Sequence, residues 1–144
     1  MIQWYWSVFK HKTLVMKYLL EFCAKLIWRG IVHDNSKFAP EEAESYARLL
    51  PRLKGTTYGS PEYQALLDEL KPTLEHHYQN RHHPEAHVFG IDGMSFLDLV
   101  EMWYDWKAAT KKHDDGNLEN SIKVNTTRFK LSEQLANIMR NSIK

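Results

Sequence analysis

The residues able to do chemistry fall in a few places. His33 and Asp34 stand side by side, so an imidazole nitrogen and a carboxylate can meet on one divalent ion, or the carboxylate can bridge two. Four histidines come within eight residues: His76, His77, His82 and His83, with Glu85 and His87 just beyond. A helix running into a loop can turn several of them toward one point. Asp98, Glu101 and Asp105 recur at i, i+3 and i+7, which places three carboxylates on one helix face beside Trp103 and Trp106. Burying such carboxylates demands a partner, either a cation or a Lys or Arg. Each signal has a plainer explanation: a capping aspartate beside a surface histidine, a polar loop, ordinary salt bridges. His11 either faces solvent or meets His33 across a helix pair, and spacing does not choose between them.

These residues need helices to position them. Val15, Leu19, Phe22, Leu26 and Ile27 give helical spacing and predict a helix from about Lys12 to Trp28, ended or bent by Gly30. Asn35 and Ser36 can cap the next helix. That second helix, entered through Pro40, runs over Glu41 to Leu50 and stops at Pro51. Lys54 to Pro61 reads as a loop, and Ser60 caps a helix carrying Tyr63, Leu66, Leu67 and Leu70. Pro72 interrupts or restarts it, and Thr73 to Asn80 carries His76 and His77. Residues 81–93 read as irregular. A helix from Ser95 fades near Lys112, Asp114 to Asn117 turns, and helices near 118–125 and 131–143 finish the chain. No segment alternates like a strand. The expectation is an all-α, compact helical bundle in a single domain spanning 1–144, with a core over about 10–113 and C-terminal helices over about 118–143.

Composition narrows the function classes. The chain has 144 residues, 43% hydrophobic and 26% charged, which suits a folded soluble domain. Nineteen Lys+Arg against eighteen Asp+Glu give +1, so no strong nucleic-acid signal is present. One cysteine excludes an internal disulfide and paired-cysteine zinc sites and suits a reducing compartment. No apolar run approaches the roughly 20 residues of a membrane span, and a signal peptide is not expected. Phosphate loops of the GxxxxGK[ST] type are absent.

The order His11, His33-Asp34, Asp105 resembles the H…HD…D signature of the HD-domain metal-dependent phosphohydrolases, a helical superfamily. The resemblance implies an HD-like bundle in which His11, His33, Asp34 and Asp105 ligate a divalent metal. His33 to Lys37 also resembles the HDxGK form of dinuclear members, with Ser36 in place of Gly. By that likeness His76, His77, His82 and His83 are candidate ligands of a second ion. No GYP-like segment comes after His83, so cyclic-dinucleotide hydrolysis is not implied. The segments RGIVHDNSKF, TYGSPEY, HHYQNRHHPE, DLVEMWYDWKAA and NSIKVNTTRF resemble, over nearly the full length, a family of unknown function (DUF5662) found in bacteria and their phages.

If the phosphohydrolase likeness holds, the metal is Mn, Fe, Co, Ni or Zn, and Asp34 helps it activate water. Lys37, one turn past His33, would contact a phosphate oxygen, and Arg81 would clamp phosphate with its planar fork. The plainer role of Lys37 is surface solubility. His82 and His83 would hold a second ion, bind phosphate or donate a proton. Glu41 orients water or Lys37, or forms a surface ion pair. Tyr58, Tyr63 and Tyr78 stack on a base, or belong to the core. The expected partner is a small phosphorylated molecule, a nucleotide first, with no membrane partner. The expected location is the cytoplasm of a bacterium or phage-infected cell, and a homodimer stays open. The competing reading is a non-catalytic helical binding or inhibitory protein with a structural metal or none.

Overall fold

The computed structural model describes residues 1–56, 60–112 and 116–143. Within them the chain is all-α, with six α-helices and no strand. They are α1 (Ile2–Val32), α2 (Pro40–Gly55), α3 (Pro61–His77), α4 (Phe96–Ala109), α5 (Leu118–Phe129) and α6 (Glu133–Asn141). The chain divides into two compact units, Met1–His33 and Asp34–Lys144. None of the described helices is long and apolar enough to cross a membrane.

The first unit is α1 with its cap. The helix begins ten residues earlier than the apolar spacing predicts and takes in Trp4, Trp6 and Phe9. Trp6 and Phe9 stack at 5.6 Å, one turn apart. Gly30 does not end it: the helix continues to Val32 and His33 leaves it with ψ 131°.

In the second unit α2 and α3 pack together around Leu49, Leu66 and Leu70, with Tyr46, Leu53 and Leu74 against them. Both helices run through a proline, Pro51 where the sequence predicts a stop and Pro72 where it predicts an interruption or restart. Pro51 removes the hydrogen bond to the Ala47 carbonyl, and Pro72 the one to Asp68, at a cost of about 3 kcal/mol each. The inward faces continue past each ring, with Leu49 and Leu53 in α2 and with Leu70, Thr73 and His77 in α3. Burying one leucine contributes about 1.5–3 kcal/mol, so Leu49 with Leu53 in α2, and Leu66 and Leu70 with Leu74 in α3, offset the break.

α4, α5 and α6 enclose the second cluster, Met102, Trp103, Trp106, Ile122, Leu131, Ala136 and Met139. Ser95 and Asp98 form a reciprocal capping box at the start of α4. α5 extends past its expected end to Phe129, where Lys130 closes it at φ 54°. The segment joining α3 to α4 holds two single turns of 3-10 helix, Pro84–Ala86 and Gly90–Gly93. Gly90 sits at φ 55°, a left-handed position that favours glycine.

Candidate metal centre

Asp34 opens the second unit in an unusual backbone state. Its φ of 57° and ψ of 18° are left-handed, a region that aspartate tolerates better than most residues. It precedes the short 3-10 turn Asn35–Phe38, yet its side chain makes no capping bond to that turn. The carboxylate goes elsewhere. Oδ2 accepts from Lys37 Nζ at 2.5 Å, while Oδ1 lies 3.5 Å from His77 Nε2 and 3.4 Å from His82 Nε2. The ring of His83 completes the group, its Nε2 3.0 Å from His77 Nε2.

Asp34, His77, His82 and His83 thus offer one ligand atom each, all within 4.8 Å of one another. Zinc–nitrogen and zinc–oxygen bonds of about 2.0–2.2 Å, at angles between octahedral and tetrahedral, place neighbouring ligand atoms roughly 3.0–3.5 Å apart. The separations of Oδ1 from His77 and His82, and of His77 from His83, fall in that interval. The donor set, imidazole nitrogens with one carboxylate, suits a divalent transition metal. His82 and Asp105 also present donors within 4.8 Å of each other.

Two glutamates orient the rings. Glu42 is fully buried on α2; its Oε2 lies 3.1 Å from His77 Nδ1 and its Oε1 2.7 Å from His76 Nδ1. Glu101 Oε1 lies 3.4 Å from His82 Nδ1. A carboxylate beside Nδ1 favours the proton there and leaves the Nε2 lone pair for a ligand. Ser36 and Asn80 brace the same ring: Asn80 Nδ2 donates to Ser36 Oγ at 2.8 Å, and Ser36 Oγ lies 3.4 Å from His77 Nδ1.

Burial lowers the pKa of His77 below its ordinary value, helped by the Lys37 charge and opposed by Asp34 and Glu42. His83 is pushed down to about 3, first by burial, then by His82 and His77. Both rings are therefore neutral near pH 7, the state that metal ligation requires. Burial and the nearby Glu42 raise the Tyr46 phenol, keeping it protonated.

The cluster opens onto a cavity of about 620 Å³. His77, His83, Asp105 and Lys37 line it, with Tyr46, Tyr78, Trp106 and, from α5, Ser121, Asn125, Arg128 and Phe129. That volume lies in the range of small-molecule sites.

Placement separates some of the residues singled out in the sequence and gathers others. His11 and His33 belong to one continuous helix and its cap, about 33 Å apart along its axis, so they cannot share an ion. His33 closes the first unit; within the second, Asp34, His77, His82 and His83 come together, with a donor of Asp105 near His82. His76 is not in that group; its Nδ1 meets Glu42 instead. Arg81 is not among the residues lining the cavity; its guanidinium is largely exposed and lies 3.6 Å from the buried Asp98. Glu41 is exposed, and its neighbour Glu42 does the inward work. Tyr63 is not a lining residue, Tyr78 is, and Tyr58 lies outside the described residues, as do Asp114 and Asp115 of the expected turn.

Glu42, Tyr46, Asn125 and Arg128 do not stand out in the sequence. Glu42 carries one signal there: with Tyr46, Leu49 and Leu53 it falls at i, i+4, i+7 and i+11, a charged residue on an apolar stripe. α5 lies beyond the segment where the phosphohydrolase likeness directs attention.

This geometry defines an all-α protein with a histidine and aspartate cluster able to hold a metal ion. A family model described as a family of unknown function (DUF5662) matches residues 3–144, and the chain belongs to that family. No curated protein and no solved structure matches the chain.

Proposed function

We propose that the second unit is a metal-dependent phosphohydrolase acting on a small phosphoester, with nucleotides the first class to test. The observation that carries this reading is the convergence of Asp34 Oδ1 and the Nε2 atoms of His77, His82 and His83 beside an open cavity. Four protein ligands would complete a tetrahedral shell, so the catalytic reading requires an ion of higher coordination number, one that keeps positions for water and substrate on the cavity side. The choice of phosphoester rests on the likeness of His33-Asp34 and Asp105 to the HD-domain pattern, from which His11 departs.

A divalent ion held there would lower the pKa of water toward neutrality and polarise a phosphoryl oxygen. Asp34, His77, His82 and His83 would hold it, and Asp105 stands beside them on the cavity wall. Glu42 and Glu101 keep the Nδ1 protons in place, so the Nε2 atoms of His77 and His82 stay ligands. Lys37 Nζ lies against Asp34 and lines the cavity, where it can meet a nonbridging phosphate oxygen. His83, neutral down to about pH 3, serves as a ligand better than as a proton donor. In the overall reaction water adds hydroxyl to phosphorus, the ester P–O bond breaks, and the leaving oxygen takes the proton. Such a reaction belongs in the cytoplasm of a bacterium or phage-infected cell.

Metal analysis of the purified chain, joined to a screen of nucleotides and generic phosphoesters, tests the reading. Bound divalent metal and turnover, both abolished in Asp34→Ala, are expected. Metal retained with no turnover on any phosphoester would make the protein a binding module and overturn the catalytic reading.

A further inference from the structure

One face of α5 turned toward the cavity is polar. Ser121, Asn125 and Arg128 fall at i, i+4 and i+7, the spacing of one helix face, and all three line the cavity with Phe129. Asn125 Nδ2 donates to Ser121 Oγ at 3.4 Å, so the stripe is internally connected. The core face of the same helix is apolar, with Ile122 fully buried, so the polar stripe flanks it on the cavity side and Arg128 at its end stays half-exposed.

Arg128 is the charged member, and it is held in place. Its Nη2 donates to Glu85 Oε1 at 2.8 Å. Its guanidinium carbon stands 5.5 Å from the Tyr78 ring and 4.7 Å from the Phe129 ring. Burial works against its charge, but contacts with Tyr78 and Glu85 outweigh this and hold its pKa above the ordinary value. A guanidinium has five N–H donors, more than one carboxylate oxygen and a phenol accept. The Tyr78 ring that Arg128 covers also lies 5.2 Å from the ring of His83, in an edge-on contact. One aromatic side chain therefore links Arg128 to the ligand cluster, whose own cation is Lys37.

We infer that Arg128 is the anchor for a second anionic group of the substrate, a few atoms from the phosphate that is cleaved. The substrate class is a phosphoester whose leaving group carries its own carboxylate or phosphate. Lys37 serves the phosphoryl group at the cluster, and the fork of Arg128 is suited to a planar or tetrahedral oxyanion across the cavity. This inference rests on the phosphohydrolase reading for its chemistry but not for its binding geometry.

Three probes on one skeleton test it with the full chain: phenyl phosphate, 4-carboxyphenyl phosphate and 1,4-phenylene bisphosphate. The expected kcat/KM for the better doubly anionic probe exceeds that for phenyl phosphate by about tenfold or more, the size of a charge-assisted hydrogen bond. Which of the two leads tells a carboxylate from a phosphate as the natural second group. Arg128→Gln brings the ratio toward one, and Glu85→Gln, which removes the competing carboxylate, raises it. A purely structural Arg128 would lower the melting temperature and affect all probes alike; that result, or a ratio near one in the unaltered chain, overturns the inference. Calorimetry with phenylphosphonate and 4-carboxyphenylphosphonate separates the two readings. If no probe is hydrolysed but the carboxylated phosphonate binds more tightly through Arg128, the anchor stands and the hydrolase reading falls. Equal binding of the two phosphonates, whatever the turnover, removes the anchor.

Discussion

Between α4, α5 and α6 the second unit buries Met102, Trp103, Trp106, Ile122 and Met139 against one another. Between α2 and α3 it buries Leu49, Leu66 and Leu70, but on the same helices it also buries Glu42, Thr73 and His77. The first arrangement is an apolar cluster; the one carboxylate α4 buries at its start, Asp98, is taken up by the Ser95 capping box and faces Arg81. The second contains ionisable groups whose desolvation costs several kcal/mol unless they are paired. Glu42 is paired with two histidines and His77 faces Asp34, so the cost is partly offset within the protein. The apolar cluster holds the helices together, and the polar one gathers the candidate metal ligands.

The largest expected effect breaks the polar side outright. Asp34→Ala or His77→Ala should abolish metal retention, measured by elemental analysis, while circular dichroism still reports a helical chain. Next, Ile122→Ala in the apolar cluster should cost about 2–5 kcal/mol in a denaturant titration. Its metal affinity, measured on the remaining folded protein, should stay within a few-fold. If Ile122→Ala instead stripped the metal, the two clusters would not be separable in the way described.

Glu42→Gln sharpens the comparison, because it keeps volume and removes charge. Metal affinity should fall about 10–100-fold, as for other partners of ligating histidines, with a smaller stability loss than Ile122→Ala. Glu41→Gln, one residue away and exposed, should change stability by less than about 0.5 kcal/mol.

Much of this contrast is legible in the residues, and the remainder has identifiable physical causes. Helical class comes from the 3.6-residue spacing of apolar side chains, and Ser60 and Ser95 mark true helix starts. Pro51 and Pro72 mislead because a local backbone rule competes with burial on both flanks, and burial wins. The adjacency of His82 and His83 to His77 depends on residues 78–83 turning back, with Asn80 bonded to the His77 carbonyl at 2.7 Å. Sequence distance alone contains no such turn. Arg81 and Arg128 are equally suited to an oxyanion by type; only the fold aims one at Asp98 and the other into the cavity. His11 shares a motif order with His33, but a continuous helix keeps them far apart.

A smaller effect is pH dependence of the metal-stripped chain. His83 takes up a proton near pH 6.5 when unfolded and only near 3 when folded, so the unfolded state binds more protons between those values. His77 shifts in the same direction. The stability these neutral rings represent is present above pH 6.5 and is lost as pH falls toward 3. Melting temperatures in metal-free buffers from about pH 7 to 4 should decline, and His83→Gln should flatten the slope. A slope unchanged by that substitution would mean that other groups govern it.

The central claim is that Asp34, His77, His82 and His83 hold one divalent ion together. X-ray absorption at the metal edge of the purified, metal-loaded full chain tests it most directly, compared with a His77→Ala/His82→Ala variant. The account predicts a first shell of imidazole nitrogen and carboxylate oxygen at about 2.0–2.2 Å, lost in the double variant. Metal bound with the same imidazole shell in that variant, or no stoichiometric binding by the unaltered chain, would contradict it.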